Sequence, residues 1–368
     1  MKICYLGNIT SPIARNLASH FALGNEVHFL TFDCGKISEV HVHCLGLHSN
    51  HLFSKFICFI CSFYKLKKII QQIKPDILHA HMITSYGVIG GLIDFQPFVV
   101  SAWGSDIFYL AQRHWLYRKT SQWVLDKAQL VTASAEVMVS ALVKLGIKKE
   151  KIVNFYYGVD IARFNNKGRF TVTDGKIIIL CTRYFEKPQN VIGFVKAIPF
   201  VLKQIPSDKV EFWIIGTGSQ EKCIKALARK LKMGEAIKFL GEIPHEKMPE
   251  YYNLADIYVS PAISDTNHIS LTEAMACGVF PVVTDIPANR TWITDGVNGL
   301  LAPVRGPEFL AQRIVEAIEH RDLRENAIEK NIKIITNNAL WKDNIKKLEL
   351  RYQEILDHKK IVKKSGKS

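Results

Sequence analysis

The chain has 368 residues, room for two domains that each bury a core, and its 48% hydrophobic content is ordinary for a globular protein. No apolar run approaches the ~20 residues of a membrane-spanning helix and Met1–Gly7 has no secretory leader pattern, so a cytoplasmic protein is expected. The formal charge of +14 asks for an anionic partner; with no aromatic–basic interleaving and no zinc finger, an anionic membrane surface or a phosphate-bearing ligand fits, and nucleic acid is not expected.

In chain order, the first half alternates short apolar runs with amphipathic stretches. Strands are predicted at Lys2–Leu6, Glu26–Phe32, Asp76–His81, Val99–Trp103, Leu130–Ser134 and Lys151–Tyr156. Such apolar strands are covered on both faces, and the helical intervals between them imply parallel βαβ units. Gly7-Asn8 ends the first strand as a glycine turn where a ligand approaches backbone. Residues 51–74 mix bulky apolar side chains with five lysines, a pattern that suits a helix lying on an anionic bilayer or a crossover helix covering the sheet. His79-Ala80-His81 and Ser101-Ala102-Trp103-Gly104-Ser105-Asp106 lie at strand ends, which makes His81 and Asp106 candidates for handling an acceptor proton. The eight cysteines are scattered and read as buried free thiols in a reducing compartment; Cys58-x-x-Cys61 reads as a packed helix face.

A polar, glycine-bearing break follows at 165–175. The predicted domains are 1–165 and 176–340. Second-half strands are expected at Lys176–Cys181, Val210–Ile215, Ile237–Gly241, Ile257–Pro261, Pro281–Thr284 and Gly299–Pro303. The first runs into Arg183 and Lys187, the second into Gly216-Thr217-Gly218, and Ile243-Pro244-His245 follows the third. After the fourth comes Ser264-Asp265-Thr266-Asn267-His268-Ile269-Ser270-Leu271-Thr272-Glu273-Ala274-Met275-Ala276-Cys277-Gly278, a polar turn opening a short apolar helix. Backbone amides at that turn and the positive end of the helix dipole make a seat for phosphate. Asp265 and Glu273 are set to accept hydroxyl protons at either end of an elongated ligand, and a nucleotide-sugar has that layout. Helix capping is the plainer role for Asp265. Glu273, inside an otherwise apolar helix, needs a partner. Trp341, Ile345, Leu348, Tyr352 and Ile355 form a helix stripe over 341–357, and the lysine-rich 358–368 is expected to be a disordered tail.

The Asp265–Gly278 run and the Pro281-Val282-Val283-Thr284-Asp285 that follows resemble the donor-site signature of retaining, GT-B fold glycosyltransferases of family 4, in a D-x7-E form where the family usually has E-x7-E. The resemblance covers nearly the whole chain, strongly over 177–305. It implies an α/β fold of two doubly wound Rossmann-like domains facing across a cleft, with the last helix crossing back to the first. By the same resemblance Arg183 and Lys187 clamp the donor phosphates. Asp265 holds the donor sugar, and Asn267, His268, Ile269 and Ser270 present amides to sugar and phosphate. Glu273 takes the ribose hydroxyls, the backbone near Ile243 reads the base, and Gly7, Gly216 and Gly218 line the donor. Many relatives carry His-Gly where this chain has Trp103-Gly104.

Transfer from such a donor expels a diphosphate, so the protein's task is to neutralise charge building there. No Asp-x-Asp and no His/Cys cluster of metal-ligand spacing occurs, so no metal and no cofactor is expected. The expected function is hydroxyl glycosylation with retention, in cell-surface polysaccharide or glycolipid synthesis, with a lipid-linked acceptor if residues 51–74 meet a membrane. The rival enzyme is a nucleotide-sugar epimerase on the same plan. A nicotinamide dehydrogenase would need G-x-G-x-x-G where Gly7-Asn8-Ile9-Thr10-Ser11 stands. A non-catalytic sugar- or nucleic-acid-binding protein is the reading from another class.

Overall fold

Central strands buried along nearly their whole length, with less buried strands at the edges, build two sheets, the condition under which a parallel sheet is covered on both faces. The computed structural model describes residues 1–46, 52–104, 106–107, 115–167 and 175–365, and within these no side chains over 52–62 and 362–365. Two compact units result: Met1–Tyr156 with Ile345–Ser368, and Tyr157–Asn344.

In the first unit β1 (Lys2–Leu6), β2 (Glu26–Thr31), β3 (His41–Cys44), β4 (Ile77–His81), β5 (Phe98–Ser101), β6 (Leu130–Ala133) and β7 (Ile152–Asn154) pair in the order β3-β2-β1-β4-β5-β6-β7, all parallel. One face carries Cys4, Leu6, Leu78 and Val131. It packs on α2 (Leu52–Ile73), α3 (Val88–Ile93), α4 (Trp115–Lys127) and α5 (Glu136–Lys144). The opposite face is covered by α1 (Pro12–Ala22) and by the last helix, whose Tyr352 lies 5.1 Å from Phe21 between ring centroids. Ser11 Oγ accepts the Ala14 amide and Pro12 opens α1, an ordinary helix start.

In the second unit β8 (Ile177–Cys181), β9 (Val210–Ile215), β10 (Ile237–Gly241), β11 (Ile257–Ser260), β12 (Phe280–Thr284) and β13 (Leu300–Ala302) take the order β10-β9-β8-β11-β12-β13. Its helices are α6 (Val191–Leu202), α7 (Glu221–Lys230), α8 (Met248–Leu254), α9 (Ile269–Ala276), α10 (Pro287–Arg290), α11 (Pro307–Glu319) and α12 (Arg321–Asn338). Phe194, Phe212, Val259 and Ile314 are fully buried in its core. Both sheets are doubly wound, and strand order reverses between β1 and β4 and between β8 and β11.

Several expectations change. The edge strand β3, His-Val-His-Cys, escapes a search for apolar runs because three of its four residues are polar or small. Its pairing sets Cys44 opposite Thr31, three residues short of Cys34, and Cys34 and Cys44 are joined by a disulfide rather than free. Cys4, Cys181 and Cys277 are buried free thiols and Cys223 an exposed one. The last helix, α13 (Trp341–Ser365), runs eight residues into the stretch assigned to a disordered tail. Lysine propagates a helix well, Lys360 pairs with Asp357 at 3.1 Å, and the first breaker is Gly366. The described half of α2 is a sheet-covering helix, with Leu66 and Ile70 buried. The side chains of Cys58, Cys61 and the apolar residues near them, Ser105, and the break at 168–174 lie outside the described residues.

Candidate functional site

At a switch point the loops leaving two neighbouring strands part in opposite directions, which is where open α/β sheets hold ligands. In the second unit these are the loop after β8, with Arg183 and Lys187, and the loop after β11, with Asp265 to His268. They are stitched together: the Ile263 amide donates to Pro188 O at 2.8 Å, and Asn190 Nδ2 donates to Pro261 O at 3.1 Å.

Arg183 stands at the centre. One terminal nitrogen donates to Asp265 at 2.5 Å and the other to Ser270 Oγ at 3.0 Å. Its Nε is buried without an acceptor, and so is Asn267 Nδ2. Burial works against the Arg183 charge, but Asp265 beside it holds its pKa above the ordinary value. Burial also pushes the Asp265 carboxyl up, and the guanidinium outweighs it, leaving Asp265 below the usual carboxylate range. Asp265 does not cap α9: its other oxygen accepts the Thr266 amide at 2.7 Å, and no side chain caps the helix among the described residues. The α9 entrance therefore sets a cation and two donors without acceptors at the positive end of a helix dipole, an arrangement that attracts an anion.

The His268 side chain faces inward. Its Nδ1 meets Asn289 Oδ1 at 2.5 Å and its Nε2 meets Tyr258 OH at 3.1 Å, and burial pushes it down to about 4, so it is a neutral pin for the turn. Tyr258 OH also meets Ser270 Oγ at 2.8 Å, which fixes the hydroxyl that Arg183 uses. The Ile269 amide is taken by Asn267 O at 2.9 Å, and both the Ile269 and Ser270 side chains are half-buried.

Glu273 is buried in α9 and finds the partners its position demands. His245 Nε2 lies 2.6 Å from Oε1, and Tyr252 OH donates to Oε2 at 3.2 Å. The Glu273 hydrogen bond raises the His245 pKa. A carboxylate has about four lone-pair sites, so two stay open to further donors.

Gly216 and Gly218 both have φ in the left-handed range, at 142° and 153°. A Cβ on Gly216 would strike Arg183 O and one on Gly218 would lie 2.8 Å from Phe185 O. Glycine there serves the contact between two protein loops, with Glu186 as the tie: it accepts from Ser219 N at 2.8 Å and Ser219 Oγ at 2.7 Å. Lys187 is exposed at the start of a 3₁₀ turn, and Ile243 is half-buried beyond the carboxyl end of β10.

The first unit repeats the plan at its own switch point. Gly7 follows β1 and His81 ends β4; a Cβ on Gly7 would lie 3.2 Å from the His81 ring. His81 is buried with neither ring nitrogen bonded, burial pushes it down to about 3, and Trp103 meets it edge-on at 5.8 Å. Met82 follows at φ 73° and begins a π-helical turn, Met82–Gly87, irregularities that cluster at functional sites. His79 is structural: its ring bonds Ser101 Oγ at 2.7 Å and Tyr352 OH. Asp106 is fully buried and accepts the amides of Ile83 at 2.8 Å and Trp103 at 3.0 Å. Burial raises its pKa against those amides, and it acts as a clamp between two loops.

His245, Tyr252 and Glu186 were missed by sequence reasoning. The buried Glu273 was a signal that a partner existed, but not which one, since Glu273 and His245 are 28 residues apart. Among the described residues no group of three or more His, Cys, Asp or Glu is arranged to hold a metal, and no helix is long and apolar enough to cross a membrane.

The family model described as glycosyl transferases group 1 matches residues 163–334, and that described as glycosyl transferase 4-like matches residues 2–136. An uncharacterized glycosyltransferase of Methanocaldococcus jannaschii is 24% identical over 96% of this chain and 96% of its own length. The alpha-monoglucosyldiacylglycerol synthase of Streptococcus pneumoniae is 24% identical over 73% of this chain and 65% of that protein. Among solved structures, Anabaena HepE in complex with UDP and glucose superposes with a TM-score of 0.82 at 15% identity, covering 96% of this chain and 100% of that one, a likeness of fold.

Proposed function

This chain belongs to the GT-B glycosyltransferases of the group 1, family 4 type, and from that premise we propose a metal-independent transfer of sugar from a nucleoside-diphosphate donor to a hydroxyl, with retention at the anomeric carbon. The observation that carries this reading is the pair of buried donors without acceptors, Arg183 Nε and Asn267 Nδ2, at the mouth of α9. A diphosphate placed there takes hydrogen bonds from both, with Lys187 adding a mobile point charge. Asp265 accepts from the sugar hydroxyls, and the open lone pairs of Glu273 accept from the ribose. In the reaction the anomeric C–O bond breaks with its electron pair passing to the diphosphate oxygen. Arg183, Lys187 and the positive end of the α9 dipole stabilise that charge. The acceptor proton goes to the departing phosphate: His81, pushed down to about 3, is a weak base, and the Asp106 oxygens face backbone amides.

A relative named alpha-monoglucosyldiacylglycerol synthase, and another named phosphatidyl-myo-inositol mannosyltransferase that is 29% identical over 46% of this chain, support a glycolipid acceptor. The test is a thermal-shift panel of UDP-, GDP-, ADP- and CMP-sugars, followed by turnover with and without a chelator and anomeric analysis of the product by NMR. Stabilisation by one donor and a retained anomer in chelator support the reading. Inversion or loss of turnover in chelator removes the corresponding part of it. Solvent deuterium entering the sugar without acceptor would mark an epimerase instead.

A further inference from the structure

Glu273 is held by a partner that stands partly in water. His245 lies on the 3₁₀ turn His245–Lys247, between β10 and α8, and its Nε2 is 2.6 Å from Glu273 Oε1. The side chains are 38% and 6% exposed, so the carboxylate is nearly dry while the imidazole still reaches solvent. A carboxylate that dry needs strong donors. Its other oxygen takes the Tyr252 hydroxyl at 3.2 Å, which leaves the imidazole as the partner able to supply a charge. The buried Phe164 ring lies 5.1 Å from His245 and 6.1 Å from Tyr252 between centroids, so one side chain buttresses both donors.

The groups acting on this histidine come from several elements. The hydrogen bond to Glu273 of α9 raises its pKa most, burial and Arg163 in the segment before β8 oppose that, and Glu246 of its own turn adds a smaller upward push. The balance lies above the ordinary ~6.5. Behind Glu273, burial keeps Tyr252 of α8 and Cys277 past α9 neutral, Cys277 pushed up to about 12. Toward Arg183, burial pushes Tyr258 up to about 12 and His268 down to about 4, and the guanidinium holds Asp265 below the usual carboxylate range. None of these changes charge just above neutrality. His245 is the member of the set that loses its proton on the alkaline side of ~6.5.

We propose that His245 is a positioning residue for the donor's nucleoside: as an imidazolium it fixes the Glu273 carboxylate and balances its charge, leaving the open lone pairs for the ribose hydroxyls. The proposal rests on the nucleotide-sugar reading above and adds a proton to it. With His245 charged, the pair is neutral when an anionic diphosphate settles nearby. With His245 neutral, the pair carries a net negative charge and the carboxylate has lost a charge-assisted bond. Donor binding therefore favours the protonated pair, and by linkage the donor binds more weakly as pH rises. The sign is that of a histidine held above its ordinary value: the contribution is full below ~6.5 and is lost as pH rises through the folded value.

UDP-glucose, GDP-mannose and ADP-glucose, whose pyrophosphate diesters have no proton to lose near neutrality, are titrated calorimetrically into the full chain from about pH 6.5 to about pH 8.5. For whichever binds, Kd should rise with pH by at most about tenfold per unit, and the heats in phosphate and in Tris buffer should differ by the uptake of part of a proton. His245→Gln keeps an N–H toward Glu273 without the charge. Its Kd at the acid end should rise roughly fivefold or more and then stay level, with no proton uptake. Glu273→Gln, weaker throughout, should lose most of the pH dependence, because a cation that met the donor directly would keep it. A cooperative melt shows that each variant is folded, and the wild-type profile and proton uptake need neither variant. Level wild-type binding across the range, an unchanged profile in His245→Gln, or a full dependence surviving in Glu273→Gln each overturns the proposal while leaving the nucleotide-sugar reading intact. Failure of all three donors to bind the wild type at any pH overturns that reading and this proposal with it.

Discussion

Replacing Asp265 with asparagine isolates the charge at the heart of the site. The Arg183 and Asp265 side chains are 10% and 13% exposed and 2.5 Å apart, so removing the carboxylate strands a guanidinium that is mostly out of water. Breaking such a pair costs roughly 3–5 kcal/mol, and the low end applies because asparagine keeps an oxygen toward the guanidinium. For a domain of 150–250 residues about 3 kcal/mol lowers the melting temperature by roughly 6–12 °C. If the cation's task is to meet a diphosphate, adding inorganic pyrophosphate should restore more stability to Asp265→Asn than to the wild type, where Asp265 competes for Arg183. Scanning calorimetry with and without pyrophosphate measures both quantities. A variant melting within about 1 °C of wild type, or equal stabilisation of both proteins by pyrophosphate, refutes the reasoning.

Acidification should weaken the first unit through His81. Its folded pKa, about 3, lies below the ordinary ~6.5, so its contribution is full above pH 6.5 and declines as pH falls. Between pH 7 and 5 the loss from His81 is about 2 kcal/mol, read as a shifted urea midpoint; His81→Phe should lessen the dependence by that amount, the buried His79 keeping its own, and an unchanged slope counts against it. Glu273→Gln should raise the donor KM by roughly tenfold to a hundredfold, as expected for losing a charged acceptor to hydroxyls. An unchanged KM would leave Glu273 as no more than the anchor of His245 and Tyr252. Cys34→Ser/Cys44→Ser should lower stability by about 2–3 kcal/mol, the chain-entropy value for so short a loop; denaturation identical to that of the oxidised wild type would contradict this.

Much of the architecture was legible because it follows from local chemistry. Runs such as Val210-Glu211-Phe212-Trp213-Ile214-Ile215 mark buried strands by composition alone, and their alternation with helices implies parallel crossovers. Strand β3 was illegible for the converse reason: an edge strand made of His41, Val42, His43 and Cys44 lacks that apolar signature and exists because β2 offers it a ladder. The disulfide followed from the same pairing and was missed with it. At the tail, charge suggested disorder, while helix propensity and the late arrival of Gly366 carried α13 on to Ser365.

By itself the sequence determined which residue types stand at the strand ends: Arg183 after β8, Asp265 after β11 and Glu273 within an apolar helix. A strand's end, and the residue that leaves it, are local properties of the chain. Only the tertiary structure decided their company. Arg183 meets Asp265 and Ser270 across 82 and 87 residues, Glu273 reaches His245 and Tyr252, and His268 turns inward to Asn289. The reversal of strand order between β8 and β11 brings these loops together, and no local pattern encodes which distant partner then fills each hydrogen bond.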